Sequence, residues 1–430
     1  MLNTAGLSLD QAPPIGIPFA FFMAAPLFAL LAALVMVLEG DQILATRWSP
    51  AALATIHLLA LGFLTQIMCG ALFQMLPVLA GSPVARALLV GRSTQILLTL
   101  GTLFLCVGLY WGRHGLLVLG GLTLAVCVLL FGWAIGAALR RARGARYTVI
   151  AMRFALAGLF ATLALGLLLI AGLLGADSVR FVRSDFAHWV NLHLAWGLLG
   201  WVGVLVMGVA YQVVPMFHVT PGYPRWLMQG AVPVVVAGLA LASLAMGSGR
   251  GAWAGFGLAL MGVIAFALVT LDRQYRRERP RIDATLLYWW TAMTSALLAV
   301  LLWVWGGRAE PIGVLAFVGV GIALPSGMLF KIMPFLSWFH LQYRQLSGRR
   351  FDVRIPHMHA FIPECSALIQ FGLYLVALFL LLLAAAWPER VFSVWLVRLG
   401  GLATVGAIGF LWWLQWRCYA QYRSFSRRLA

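Results

Sequence analysis

Gly70-Ala-Leu-Phe73-Gln74-Met-Leu-Pro77 lies near the end of an apolar run over 51–80, and its pattern occurs twice more. Gly208-Val-Ala-Tyr211-Gln212-Val-Val-Pro215 and Gly327-Met-Leu-Phe330-Lys331-Ile-Met-Pro334 keep the order glycine, two residues, aromatic, Gln or Lys, two apolar residues, proline. Each residue type has a use inside a membrane. Glycine lets a neighbouring helix come close, proline loosens the backbone ladder near a helix end, and a buried amide or amine demands a polar partner.

The runs that carry the motif belong to a longer series. A span needs ~20 apolar residues to cross ~30 Å of hydrocarbon. Runs of that kind lie near 16–38, 51–80, 92–112, 115–139, 148–175 and 187–217, then near 226–247, 251–271, 284–306, 311–338, 359–386 and 391–416. The motif falls in the second, sixth and tenth. Recurrence at every fourth run predicts an all-α integral membrane protein of twelve transmembrane helices in a pseudo-threefold, three-by-four bundle. It also argues against the six-plus-six transporter plan, in which a long central loop is common. Here the central loop at 219–225 is short, and the longest polar loop lies between the tenth and eleventh runs. A single transmembrane domain over 1–430 is expected, with repeat units near 1–112, 115–247 and 251–338 and closing helices within 359–416.

Composition agrees. The chain of 430 residues is 63% hydrophobic and only 10% charged, more apolar side chain than a water-soluble core can use. A net charge of +18 suggests nucleic acid in a soluble protein, but these arginines sit between apolar runs and mark the membrane surface instead. The lipid bilayer, not nucleic acid, is the expected partner. With the N-terminus in the cytoplasm, twenty arginines fall in the cytoplasmic loops and tail. The opposite loops hold seven: Arg47, Arg113, Arg180, Arg183, Arg250, Arg308 and Arg390. This bias places both termini in the cytoplasm of a bacterial-type inner membrane. Met1 to Pro14 contains Asp10 but no Lys or Arg, so it lacks the basic region of a cleaved signal peptide, and the first run is expected to stay as a helix. The five cysteines, Cys69, Cys106, Cys127, Cys365 and Cys418, each lie in an apolar run without a Cys-x-x-Cys pair and read as buried small hydrophobes.

The topology sorts eight histidines into two layers. His57, His114, His188 and His193 lie toward the periplasm; His218, His340, His357 and His359 lie toward the cytoplasm and form a candidate second cluster. His57 and His193 stand about two turns into the second and sixth runs, at similar depth on related helices. About 25 Å of helix separates His57 from Gln74. Intramembrane histidines mark cofactors, proton paths or interhelical hydrogen bonds. The pair is the candidate cofactor site, and His57, His188 and His193 are the candidate metal ligands. Lys331, the only lysine, occupies the slot that holds Gln74 and Gln212 in the other repeats. It is expected either to snorkel to the surface or to donate to Gln74, Gln212 or Glu364. All three repeat side chains are expected at one depth, facing the bundle interior.

Twelve spans, a three-by-four repeat and histidines on the second and sixth helices resemble subunit I of the haem–copper oxidase superfamily. By helix and depth, His57 matches that family's second-helix haem ligand and His193 its sixth-helix copper ligand. Leu76-Pro77-Val-Leu-Ala-Gly81 also resembles the end of the second helix in NnrS-type proteins, membrane proteins with haem and copper linked to nitric-oxide response. The departures are specific. The tenth run has no histidine, the seventh has no His-His pair, and Gly197, not tyrosine, follows His193 by four residues. The usual oxygen-reducing centre is therefore not assembled. The resemblance implies a degenerate relative that binds haem or a metal such as copper, in respiratory, nitric-oxide or copper physiology, served by a membrane or periplasmic redox partner. The alternative is a cofactor-free transporter or channel whose polar residues line a path. His57 and His193 separately bonded to backbone favour that alternative. Neither reading decides whether the chain is an enzyme.

Overall fold

In a computed structural model the chain is an all-α bundle. Residues 13–245, 249–388 and 392–429 are described; Asp10, Arg390 and the start of the gap at Gly247 lie outside them. Among the described residues twelve helices are long and apolar enough to cross a membrane. They are α1 (Gly16–Glu39), α2 (Pro50–Ala80), α3 (Ala87–Trp111), α4 (His114–Arg141), α5 (Arg146–Leu173), α6 (Phe186–His218), α7 (Arg225–Leu244), α8 (Gly251–Tyr275), α9 (Ala284–Val304), α10 (Ala309–Ser347), α11 (Glu364–Ala386) and α12 (Ser393–Arg428).

Most boundaries fall within a few residues of the apolar runs. The larger differences are at α10 and α12, which run on to Ser347 and Arg428. At 1.5 Å per residue their 39 and 36 residues reach well past ~30 Å of hydrocarbon. The extensions are polar and joined: the Arg344 guanidinium donates to Ser426. Helix α11 starts at Glu364 rather than 359, because Pro356 and Pro363 keep 356–363 out of a continuous helix. His357 and His359 therefore stand at a short turn and not in a span.

The described residues form two compact units. One is built from Leu72–Pro280, which holds the end of α2 and helices α3–α8. The other joins Pro14–Ala71 to Arg281–Ala430, which hold α1, most of α2 and α9–α12. Helix hairpins within the units close on small residues. A Cβ at Gly120 of α4 would come 2.6 Å from the Leu105 nitrogen of α3, and one at Gly400 of α12 would come 2.8 Å from Leu381 of α11. Such closeness suits lipid, where packing rather than water exclusion draws helices together.

The repeat reappears in the geometry of each motif-bearing helix. α2, α6 and α10 each contain eight residues of π-helix, at Leu58–Thr65, Trp196–Gly203 and Leu315–Ile322. Each segment starts twelve residues before its motif glycine, Gly70, Gly208 or Gly327, and its fifth residue is Gly62, Gly200 or Gly319. The glycines of each helix mark crossings with equivalent partner helices. The motif glycines back onto Phe21 of α1, Ala151 of α5 and Tyr288 of α9; Gly62 and Gly319 back onto Phe28 and Ser295 of α1 and α9, and at the third crossing it is Gly158 of α5 that backs onto the Gly200 backbone. Hydroxyls reinforce two of the three crossings: Thr148 Oγ1 donates to the Gly208 carbonyl (2.8 Å) and Thr285 Oγ1 to that of Gly327 (3.0 Å). Pro18 stands at the matching place in α1. These helices are also the most enclosed, with 72%, 56% and 72% of their apolar stretches buried and no other span above 50%. Wide π turns leave carbonyls without their usual i+4 partners, and such segments concentrate at functional sites. Here Thr65 Oγ1 takes the Ala60 carbonyl (2.8 Å), and Tyr374 of α11 donates to the Val318 carbonyl (3.1 Å).

Candidate functional site

The first turn of α9 carries a concentration of charge. Asp283 caps the helix, its backbone extended and its Oδ1 accepting from the Leu286 N–H at 3.0 Å. Its Oδ2 accepts from Lys331 Nζ of α10 at 2.7 Å. Glu364, the first residue of α11, accepts from the Ala284 N–H through Oε1 at 2.7 Å. Two carboxylates thus meet the exposed amides at the positive end of one helix, where the helix dipole favours them. Asp283 and Lys331 are 8% and 5% exposed, so the ion pair is buried. A cavity of about 10 Å³, room for one water, adjoins the pair and is lined by Lys331, Glu364, His359, Thr285 and Phe330. His359 is exposed. The exposed His359 imidazole and the Glu364 carboxylate thus line the same water-sized space as the Lys331 ammonium that Asp283 pairs.

Lys331 thus does not snorkel, and it donates to Asp283 rather than to Gln74, Gln212 or Glu364. Asp283 is not among the residues expected from the sequence, although its signal is there. Asp283-Ala-Thr285-Leu286 places an acidic residue directly before an apolar run, the signature of a helix N-cap. Above it runs a chain of satisfied polar groups. Tyr288 of α9 donates to Gln370 Oε1 of α11 (2.6 Å), whose Nε2 donates to the Ala407 carbonyl of α12 (3.0 Å).

The three repeat side chains diverge. Gln74 is buried at 7% exposure, and its Oε1 has no hydrogen-bond partner among the described residues. Gln212 is exposed, which corrects the expectation that all three face inward. Shared register sets where a residue lies along its helix, whereas the neighbouring helices decide whether it is covered. Cys365 is likewise exposed, not buried, because it opens α11 beside Glu364; the other four cysteines are buried.

His57 and His193 are both half-buried, and each ring bonds to backbone. His57 Nδ1 meets the Leu53 carbonyl one turn back (2.8 Å), and His193 Nδ1 meets the Thr162 carbonyl of α5 (3.0 Å). Aligned by their π segments, His57 matches Ala195 of α6 and Val314 of α10, and His193 matches Thr55. The histidines are two positions out of register, close in depth but on nearly opposite faces at ~100° per residue. His188 is half-buried and His114 exposed. The histidines of the candidate second cluster have separate partners. His218, buried, bonds Gln274 of α8 through Nδ1 (3.0 Å), and His340 Nδ1 meets the Leu336 carbonyl (3.0 Å). His357 Nδ1 accepts from the His359 N–H at 3.4 Å, and both rings are exposed. Among the described residues, no three His, Cys, Asp or Glu side chains converge as a metal-binding group.

A scan against models of protein families finds no match to this chain, and a search of curated proteins finds none.

Proposed function

We propose that this membrane protein moves protons through the unit that contains α9–α11, using Asp283, Lys331, Glu364 and His359. The observation that carries the proposal is the buried Lys331–Asp283 pair. Taking two charges out of water costs several kcal/mol per ion, and a well-packed apolar pair of similar volume is often as stable. An intramembrane ion pair joined to a carboxylate and an exposed imidazole is thus better explained by proton traffic than by stability. The backbone anchoring of His57 and His193 fits a cofactor-free path. With the arginine-rich loops in the cytoplasm of a bacterial inner membrane, His359 and Glu364 face the cytoplasm and form the entrance.

Proteoliposomes with an internal pH dye test this. Under a potassium-driven membrane potential, the wild-type protein should acidify or alkalise the lumen faster than empty vesicles. Asp283→Asn keeps the helix cap but not the charge and should slow the flux about a hundred-fold or more, the scale of losing one positioned proton-transfer group. Gln212→Ala, on an exposed side chain, should leave it unchanged. Wild-type flux equal to that of empty vesicles would refute the proposal.

A second reading, haem binding, draws on the same His57 bond. With Nδ1–H given to the Leu53 carbonyl, His57 holds Nε2 as the acceptor nitrogen of its ring, the form that ligates iron. Val314 and Ala195 stand at the matching positions of α10 and α6, so the repeat supplies one axial imidazole and not two. Copper has no comparable support. Protein produced with ample haem should show a Soret band that His57→Ala removes; protein with neither band nor iron ends this reading.

A further inference from the structure

Arg153 stands within an apolar run, that of α5, and not between runs as most arginines do. It lies roughly 10 Å along the helix from Arg146, at 1.5 Å per residue. It is exposed, so its side chain is on the bilayer-facing outside of the bundle. Its Nη2 donates to the Leu139 carbonyl in the last turn of α4, 2.7 Å away. That bond satisfies a carbonyl that the helix end leaves open, and it draws the guanidinium toward the arginine-rich end of the bundle. Among the described residues Arg153 makes no other hydrogen bond and no ion pair. A guanidinium at the edge of hydrocarbon without a counter-charge is costly. The chain itself offers none nearby in sequence, since no Asp or Glu lies between Asp41 and Asp177. Over that stretch Arg86, Arg92, Arg140, Arg141, Arg143 and Arg146 are all exposed at the same end of α3, α4 and α5. Tertiary bonds tie together the two loops that carry most of them. Ser82 Oγ donates to the Ala138 carbonyl (2.7 Å), the Arg143 N–H to that of Ala80 (3.3 Å), and Arg141 Nη2 to that of Pro83 (3.5 Å).

We infer that this surface binds the phosphate headgroup of an anionic phospholipid, with Arg153 as its contact at the hydrocarbon edge and Arg140 beside it. The guanidinium fork matches phosphate oxygens, and basic surfaces between transmembrane helices are where such headgroups lodge. The Leu139 carbonyl fixes one edge of the Arg153 guanidinium and leaves its other N–H groups for the ligand. Position selects a lipid over a soluble anion. Arg153 faces the bilayer inside the first turns of α5, where a lipid phosphate sits already and a water-borne phosphate would have to give up its hydration. The site belongs to the unit that holds α3–α8 and does not rest on the proton-transfer proposal.

Native mass spectrometry of the full chain in detergent, titrated with dioleoyl phosphatidylglycerol or dioleoyl phosphatidylcholine, tests this. The wild-type protein should retain phosphatidylglycerol at least about ten-fold more tightly than phosphatidylcholine. Arg153→Gln should weaken phosphatidylglycerol binding about ten-fold, the scale of one charge-assisted hydrogen bond, and leave phosphatidylcholine unchanged. Arg428→Gln removes the same charge from the end of α12 and should leave both unchanged. Arg140→Gln, on an exposed side chain, should weaken phosphatidylglycerol about five-fold, the scale of one arginine near an anionic headgroup, and it carries the test if Arg153→Gln does not fold. Inorganic phosphate in the same buffer should not displace the lipid. Equal retention of the two lipids by the wild type, or an effect of Arg428→Gln as large as that of Arg153→Gln or Arg140→Gln, overturns the site. Displacement by inorganic phosphate overturns the lipid as its ligand.

Discussion

Replacing Lys331 with methionine should destabilise the protein in detergent by about 3–5 kcal/mol, the usual cost of leaving one charge of a buried pair alone. The Asp283 carboxylate would stay behind at 8% exposure, still capping Leu286 but facing hydrocarbon-like surroundings where the ammonium had been. Asp283→Asn should cost a similar amount for the opposite reason: the cap survives and the ammonium is stranded. The double variant is the decisive measurement. With Lys331→Met and Asp283→Asn together no net charge remains buried, so thermal unfolding should return to within about 1.5 kcal/mol of wild type. The two changes would then be strongly non-additive. Single variants that each cost under about 1 kcal/mol, or a double variant equal to their sum, would show that the charges do not depend on one another. Proton flux in the double variant should stay low even as stability recovers, which separates the pair's transport role from its structural one.

Placing leucine at Gly158 should be comparably damaging, through packing alone. A Cβ there would come 2.5 Å from the carbonyl carbon and oxygen of Gly200, at the middle of the α6 π segment. A side-chain neighbour can rotate away, but a backbone neighbour cannot, so α5 and α6 would have to separate. The expected loss is at the top of the ~1–3 kcal/mol range for overpacking, or beyond it, with much of the purified protein aggregated. Gly257→Leu in α8 is the control: its Cβ would meet nothing within 4 Å, and its unfolding temperature should match wild type. Similar unfolding temperatures for the two leucine variants would mean that the α5–α6 crossing does not need a glycine.

The same crossing shows how far the sequence could be read. The motif glycines 70, 208 and 327 were visible as a repeat because three identical spacings in one chain are hard to produce by chance. The second set, 62, 200 and 319, follows equally regular spacing, but its neighbours Phe63, Trp201 and Val320 share no residue type and no common amide or proline follows, and in a chain with 45 glycines a lone repeat of glycine is silent. The π segments were silent for a related reason. Whether a helix hydrogen-bonds to i+4 or i+5 depends on what presses on it from the side, and Phe28, Gly158 and Ser295 belong to other helices.

Span number and helix class were written in the sequence, because crossing hydrocarbon is a local demand that each run of about twenty residues must meet on its own. The repeat register of Gln74, Gln212 and Lys331 was written there too, since it is only a matter of counting. Which of those side chains is covered, and by what, was decided by tertiary structure alone. Asp283 and Lys331 are 48 residues apart on different helices, and no periodicity relates them. They meet because the Thr285–Gly327 crossing holds the start of α9 against α10. Gln212 occupies the same register but stays exposed, because no described residue covers that face of α6. Hydropathy and spacing are properties of one segment at a time, whereas burial and pairing belong to two, and only packing brings the second segment into place.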